Sequence, residues 1–188
     1  ISCTGDNSPK SLFNGGNSEQ WETTGDVVVQ NNVITLNEGS SLVLKKGDYK
    51  NFELNVKART NGNGKGYIAF HTDNAEDGYR VTLNNDLESS QWWTKTGSLL
   101  SVRNLTKSTV KTDEWFDMDI RVEGKVINVL VNGNPVVEYI EPASTYRTEE
   151  HASKLLSSGK FAIKSTEGTI EIESINVTPL NSTVDVAL

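Results

Sequence analysis

Two side chains in the middle of the sequence are suited to chemistry beside a carbonyl. His71 is a base near neutral pH, and Arg80 is a fixed cation that can partner a developing oxyanion. Each sits in a stretch with the period of two that marks a half-buried strand. In Tyr67-Ile68-Ala69-Phe70-His71, Ile68 and Phe70 are assigned to the core, which leaves Tyr67, Ala69 and His71 on the opposite face. In Gly78 to Asn84, Tyr79, Val81 and Leu83 take the core, and Arg80, Thr82 and Asn84 share the other face. His71 as base and Arg80 as the carbonyl's partner form the candidate catalytic pair. Tyr67, Thr82 and Asn84 line the same expected cleft. Adjacent Trp92 and Trp93 would point to opposite sides of a strand, one into the core and one toward the cleft. Sugar rings have apolar C–H faces that stack on an indole, and Lys95 stands close by to fix hydroxyls. The plainer alternative has both indoles plugging loops.

The remaining polar residues are less directed. Asp117, Asp119, Glu123, Glu171 and Glu173 fall on the wet faces of strands, where a solvated carboxylate is the default. His151 lies in a long connection and is expected to be exposed. No His, Asp or Glu group stands at metal-ligand spacing, so neither a metal nor a cofactor is expected. Asn61-Gly62-Asn63-Gly64-Lys65-Gly66 lacks the Lys-Ser/Thr ending of a phosphate loop and runs into a strand, so it reads as a hairpin loop.

The elements that must position these residues are strands. Phe116, Met118, Ile120 and Val122 alternate with Asp117, Asp119, Arg121 and Glu123. Gly124-Lys125 then turns into Val126 to Val131, and Asn132-Gly133 fits a type I′ turn before Val136, Val137 and Tyr139. Phe52, Leu54, Val56 and Ala58 form another alternating run, Gln91 to Lys95 and Thr96 to Val102 follow as further strands, and Phe161 with Ile163, then, after a turn at Glu167-Gly168, Ile170, Ile172, Ile175 and Val177, form the last two. Leu12, Phe13 and Trp21 read as apolar anchors near the start. Thr148 to Leu156 is long enough for about two helical turns, which are marginal in isolation. Roughly a dozen short strands without a long helix argue for an antiparallel β-sandwich of the jelly-roll kind.

Length and charge narrow the partners. A chain of 188 residues fits one domain and needs no disulfide, and the single cysteine could not make one internally. The net charge of −7 and the lack of a dense basic cluster argue against nucleic acid. No run approaches the ~20 apolar residues of a membrane span. Ile1-Ser2-Cys3 followed by Thr4-Gly5-Asp6-Asn7-Ser8 resembles the end of a bacterial lipoprotein signal, in which Cys3 is lipidated. Residues 1–10 are thus expected to be a tether, 11–180 the domain, and 181–188 a tail or a linker to a second domain. The expected place is the bacterial cell envelope.

The order of segments is similar to a known family. Ser11-Leu12-Phe13-Asn14-Gly15 with Trp21, Phe52 to Arg59, Gly66 to Thr72, Asp77 to Leu83, Lys95 to Leu99, Asp113 to Tyr139 and Gly159 to Leu180 resemble the bacterial 3-keto-disaccharide hydrolase domain. That resemblance implies a concanavalin A-like jelly roll with a concave sugar cleft and a hydrolase acting on a carbohydrate. The chain departs from the family at polar positions. Arg80 stands where a Glu is usual and Thr82 where a Gln is usual, and Ile163-Lys164-Ser165-Thr166 and Ile172-Glu173-Ser174 replace the family's Gln, His and Arg. Two functions therefore stay open: a 3-keto-disaccharide hydrolase, or a non-catalytic carbohydrate-binding module partnering a second domain. An envelope structural role without a small ligand is a third.

Overall fold

The alternation read from the sequence becomes the burial pattern of the strands. A computed structural model of the protein describes residues 6–181, so Cys3 and residues 182–188 of the tail lie outside the described residues. The strands in chain order are β1 (Lys10–Phe13), β2 (Trp21–Thr24), β3 (Val27–Gln30), β4 (Val33–Leu36), β5 (Ser41–Leu44), β6 (Phe52–Thr72), β7 (Tyr79–Asn84), β8 (Phe116–Glu123), β9 (Val126–Val131), β10 (Asn134–Ile140) and β11 (Lys160–Pro179). Along β8 every second residue, from Phe116 to Val122, is buried, and β9 follows with Ile127, Val129 and Val131. The β9–β10 turn has positive φ at Asn132 and Gly133, as a type I′ turn requires.

Two long strands carry both layers of the sandwich. The first half of β6 pairs with β8 and its second half with β7, while β11 runs antiparallel to β6 along nearly its whole length. One layer is therefore β3-β4-β11-β6-β8-β9-β10, with β1 on the C-terminal end of β11, and the other is β2-β5-β11-β6-β7. Strands that change layer do so at bulges or bends. Here the bend is Asn61 to Gly66 against Ser165 to Thr169, where the register shifts twice. This corrects the sequence reading of Asn61–Gly66 as a hairpin loop and of Glu167-Gly168 as a turn between two strands. Gly62 and Gly168 take φ of 54° and 58°, which glycine adopts without strain.

One core fills the space between the layers. Phe52, Phe70, Phe161 and Tyr79 are fully buried there with Met118, Ile120 and Ile172. Leu12, Phe13 and Trp21 close over it as expected, and the Trp21 indole N–H donates to the Leu12 carbonyl at 3.0 Å. The expected helix shortens to a single 3₁₀ turn, Glu149–His151, with no buried residue to hold a longer one. No helix among the described residues is long and apolar enough to cross a membrane.

Candidate functional site

The outer face of the β5-β11-β6-β7 layer carries the candidate site. Core residues Ile68, Phe70, Val81 and Leu83 take one face of β6 and β7, which sends Lys65, Tyr67 and Ala69 and, opposite them, Asn84, Thr82 and Arg80 to the other. Lys164 and Ala162 of β11 continue that face on the far side of β6. Beyond β7 the chain from Thr96 to Leu100 lies along its free edge, tied by hydrogen bonds from Thr96 to Asn84, Gly97 to Thr82 and Leu100 to Arg80. The expected strands over Gln91–Lys95 and Thr96–Val102 are thus replaced by a turn and this irregular edge segment.

A cavity of about 260 Å³ opens on this face, and Tyr67, Arg80, Thr82 and Asn84 line it together, as the sequence pattern required. It is slightly below the ~300 Å³ lower end of small-molecule pockets, a volume for a single ring rather than a chain. Lys65, Gln91, Thr94, Leu100, Thr166 and Glu167 complete the wall. Three buried polar atoms in a row along β7 lack any hydrogen-bond partner: Arg80 Nε, Thr82 Oγ1 and Asn84 Oδ1. Alternate residues of one strand stand about 7 Å apart. Asn84 is fully buried, and its amide nitrogen donates to the Thr94 carbonyl at 3.1 Å, so its oxygen is the atom left unpaired. Around this row, the Arg80 guanidinium lies 4.5 Å from the Tyr67 ring centre, and Tyr67 donates its hydroxyl to Ala75. Burial holds the Tyr67 phenol above its ordinary value.

His71 does not join them. Its φ of 52° breaks the alternation at the end of β6, and the ring turns to pack edge-on against Phe52 and Phe70. Nε2 donates to the Lys50 carbonyl at 2.8 Å while Nδ1 accepts from the Ser157 backbone N–H at 3.0 Å. Both nitrogens are therefore spent on the backbone, and the expected pairing of His71 with Arg80 in one cleft is corrected. Burial pushes the imidazole below its ordinary value near 6.5. Because the unfolded chain then binds the proton more readily, this contribution to stability is present above about pH 6.5 and is lost as the pH falls. The replacement His71→Asn, which tolerates positive φ, will flatten that dependence. Urea midpoints at about pH 7.5 and 5.5 check this: wild type should lose more than the variant, and equal losses would contradict the assignment.

The remaining predicted residues sit at the rim or in its support. Trp92 and Trp93 are 62% and 47% exposed and meet edge to face at 5.9 Å, so neither indole anchors the core and neither lines the cavity. The reason is the turn, in which strand alternation does not hold; Gln91 and Thr94 on either side of the pair do reach the wall. Lys95 is buried beneath, its Nζ donating to the Asp86 carbonyl, and burial lowers its pKa. It braces the loop rather than facing the cavity. Lys65 and Glu167 were missed and form an ion pair at the opposite rim. Lys65 is two residues before Tyr67, so the same period of two pointed to it. Among the described residues no three His, Cys, Asp or Glu side chains converge to hold a metal.

The family model for the 3-keto-alpha-glucoside-1,2-lyase-like domain matches residues 8–178. The chain belongs to this family. The resemblance read from the segment order is thereby established, and the lyase-like domain has the carbohydrate-related β-sandwich that the order implied. A candidate glycosyl hydrolase from Parabacteroides distasonis superposes with a TM-score of 0.76 at 17% identity, over 92% of this chain and 94% of the other. The carbohydrate-binding module CBM66 from Bacillus subtilis gives 0.64 at 13%, over 85% and 95%. The exoplasmic domain of VIP36 bound to Ca²⁺ and Man3GlcNAc gives 0.63 at 14%, over 94% and 90%. At these identities the lyase-like domain shares a fold with hydrolase, binding module and lectin alike. No curated protein sequence matches the chain.

Proposed function

We propose that this lyase-like domain recognises a carbohydrate in the cavity on β6 and β7, and that recognition is the activity its present residues carry. The observation behind this reading is the row of Arg80, Thr82 and Asn84, each with a buried polar atom unpaired and facing one cavity. Leaving such an atom without a partner costs about 1–3 kcal/mol, so three in a row are readied for the hydroxyls of a ligand. Trp92 and Trp93 at the rim offer an apolar surface for a neighbouring ring of the same glycan. The family match and the lectin, binding-module and hydrolase folds support the carbohydrate class.

Thr82→Val tests it. Valine has the shape of threonine without the hydroxyl, and Thr82 Oγ1 has no partner in the protein, so thermal stability should hold or rise. Affinity for the sugar should fall about tenfold in calorimetric titration, the worth of one good hydrogen bond. The ligands are 3-keto-disaccharides and their unoxidised parents. Loss of stability with unchanged affinity would show that the hydroxyl serves the fold.

Family membership favours a second reading, hydrolysis or elimination of a 3-keto-disaccharide. Two carboxylates ~5 to 9.5 Å apart serve most glycosidases, whereas the carboxylate on this cavity wall is Glu167, held by Lys65. Elimination beside a keto group needs one base, and Glu167 with Arg80 as the carbonyl's partner is the pair the cavity offers. Product release from the same panel that collapses in Glu167→Gln and in Arg80→Ala would establish catalysis. Binding without release would establish the module.

A further inference from the structure

The charge of the cavity is opposite to that of the chain. The chain carries 25 acidic against 18 basic side chains, yet Lys65, Arg80 and Lys164 all stand on the cleft face of β6, β7 and β11. Two carboxylates answer them, Glu167 on Lys65 and Glu76 on Lys164, and both are open to solvent, at 43% and 65%. Arg80 has none. One terminal nitrogen donates to the Glu76 carbonyl oxygen, the plane lies against Tyr67, and the Nε–H is buried without an acceptor. Among the described residues no carboxylate forms an ion pair with Arg80 or with Lys154, which is buried nearby with its ammonium against His151. Lys154 is held below its ordinary pKa by burial first and then by the charge of Arg80.

A guanidinium N–H removed from water without an acceptor is costly, and a bound anion relieves that cost. A neutral sugar hydroxyl would satisfy the hydrogen bond but not the charge. We propose that the sugar taken by this cavity is anionic: its carboxylate docks on Arg80, and hydroxyls of the same ring meet Thr82 and Asn84. This rests on the carbohydrate reading and names the substrate class of that site. A sulfate ester would present the same chemistry to Arg80, and the test separates the two sources.

The experiment is calorimetric titration, at low and at high salt, of a disaccharide containing a uronic acid, of its carboxyl-reduced neutral form, and of that neutral form bearing one sulfate ester. An anionic form should bind at least about tenfold tighter than the neutral one, the worth of a charge-assisted hydrogen bond. The advantage should shrink with salt, disappear in Arg80→Gln and survive in Arg80→Lys, with melting temperatures recorded to show that both variants fold. Tightest binding of the sulfate ester would support the anionic class and assign it to sulfate rather than carboxylate. Neutral sugar bound as well as either anion would overturn the inference and leave the carbohydrate reading standing. An anion preference that persists in Arg80→Gln would remove Arg80 from it. No binding of any of the three would take both down together.

Discussion

Gly66→Ala will lower the stability of this protein by about 3 kcal/mol, among the larger effects of a single added methyl group. A Cβ at Gly66 would stand 2.0 Å from the Lys164 carbonyl oxygen and 2.5 Å from the Ile170 Cδ1. The isoleucine tip can turn aside, but the carbonyl is backbone of β11, which β6 pairs with on both sides of the bend. Relief therefore requires the two strands common to both layers to part at the place where they change layer. Gly66 also forms cavity floor between Lys65 and Tyr67, so the same displacement should weaken the sugar binding proposed for it. In thermal melts a loss of this size is roughly 6 to 12 °C for a domain of this length. Gly62→Ala is the control: nothing lies within 4 Å of its Cβ, and its φ of 54° alone should cost about 1 kcal/mol. Equal melting of the two variants would show that the close approach of β6 and β11 is not a constraint.

That bend also marks where the sequence stops being transparent. A run of Asn and Gly has the same composition whether it joins two strands of a hairpin or bulges one strand past its partner, and only the partner's register, here β11, distinguishes them. Period two was decisive wherever a strand stays regular. It assigned Met118, Ile120 and Val122 to the core and placed Arg80, Thr82 and Asn84 on one open face, which is where the cavity is. It failed where the backbone leaves the β region. His71 at a φ of 52° swings to the core side of its own strand, and Trp92 and Trp93 sit in a turn. Lys65 was hidden by the hairpin reading of the glycines around it, and Glu167 by the reading of Glu167-Gly168 as a turn. What no local pattern encodes is the unpaired state of the three polar atoms on β7. It depends on carbonyls of Gln91 to Thr94 claiming the Asn84 amide nitrogen and on nothing claiming its oxygen.

The second large effect lies outside the cavity, in the support beneath it. Glu141 follows β10 with its side chain only 5% exposed, and it accepts hydrogen bonds from the Tyr79 hydroxyl at 2.5 Å and from the Leu156 backbone N–H at 2.8 Å. Arg147 completes the cluster by donating to the hydroxyls of Tyr79 and Tyr139 at 3.2 and 2.9 Å. Burial, with Glu141 beside it, holds the Tyr79 phenol far above its ordinary pKa, so it stays protonated and remains a donor. Glu141→Ala would orphan both donors at about 1–3 kcal/mol each, a total loss of about 2–6 kcal/mol measured by urea unfolding. Glu141→Gln keeps an acceptor and should lose about half as much. Because Tyr79 precedes Arg80 on β7, and Leu156 adjoins the Ser157 N–H that binds His71, Glu141 fixes the connection to the strand that carries the site. A double-mutant cycle with Tyr79→Phe should therefore give a coupling of about 1 kcal/mol or more, while strict additivity would mean that Glu141 and Tyr79 contribute independently.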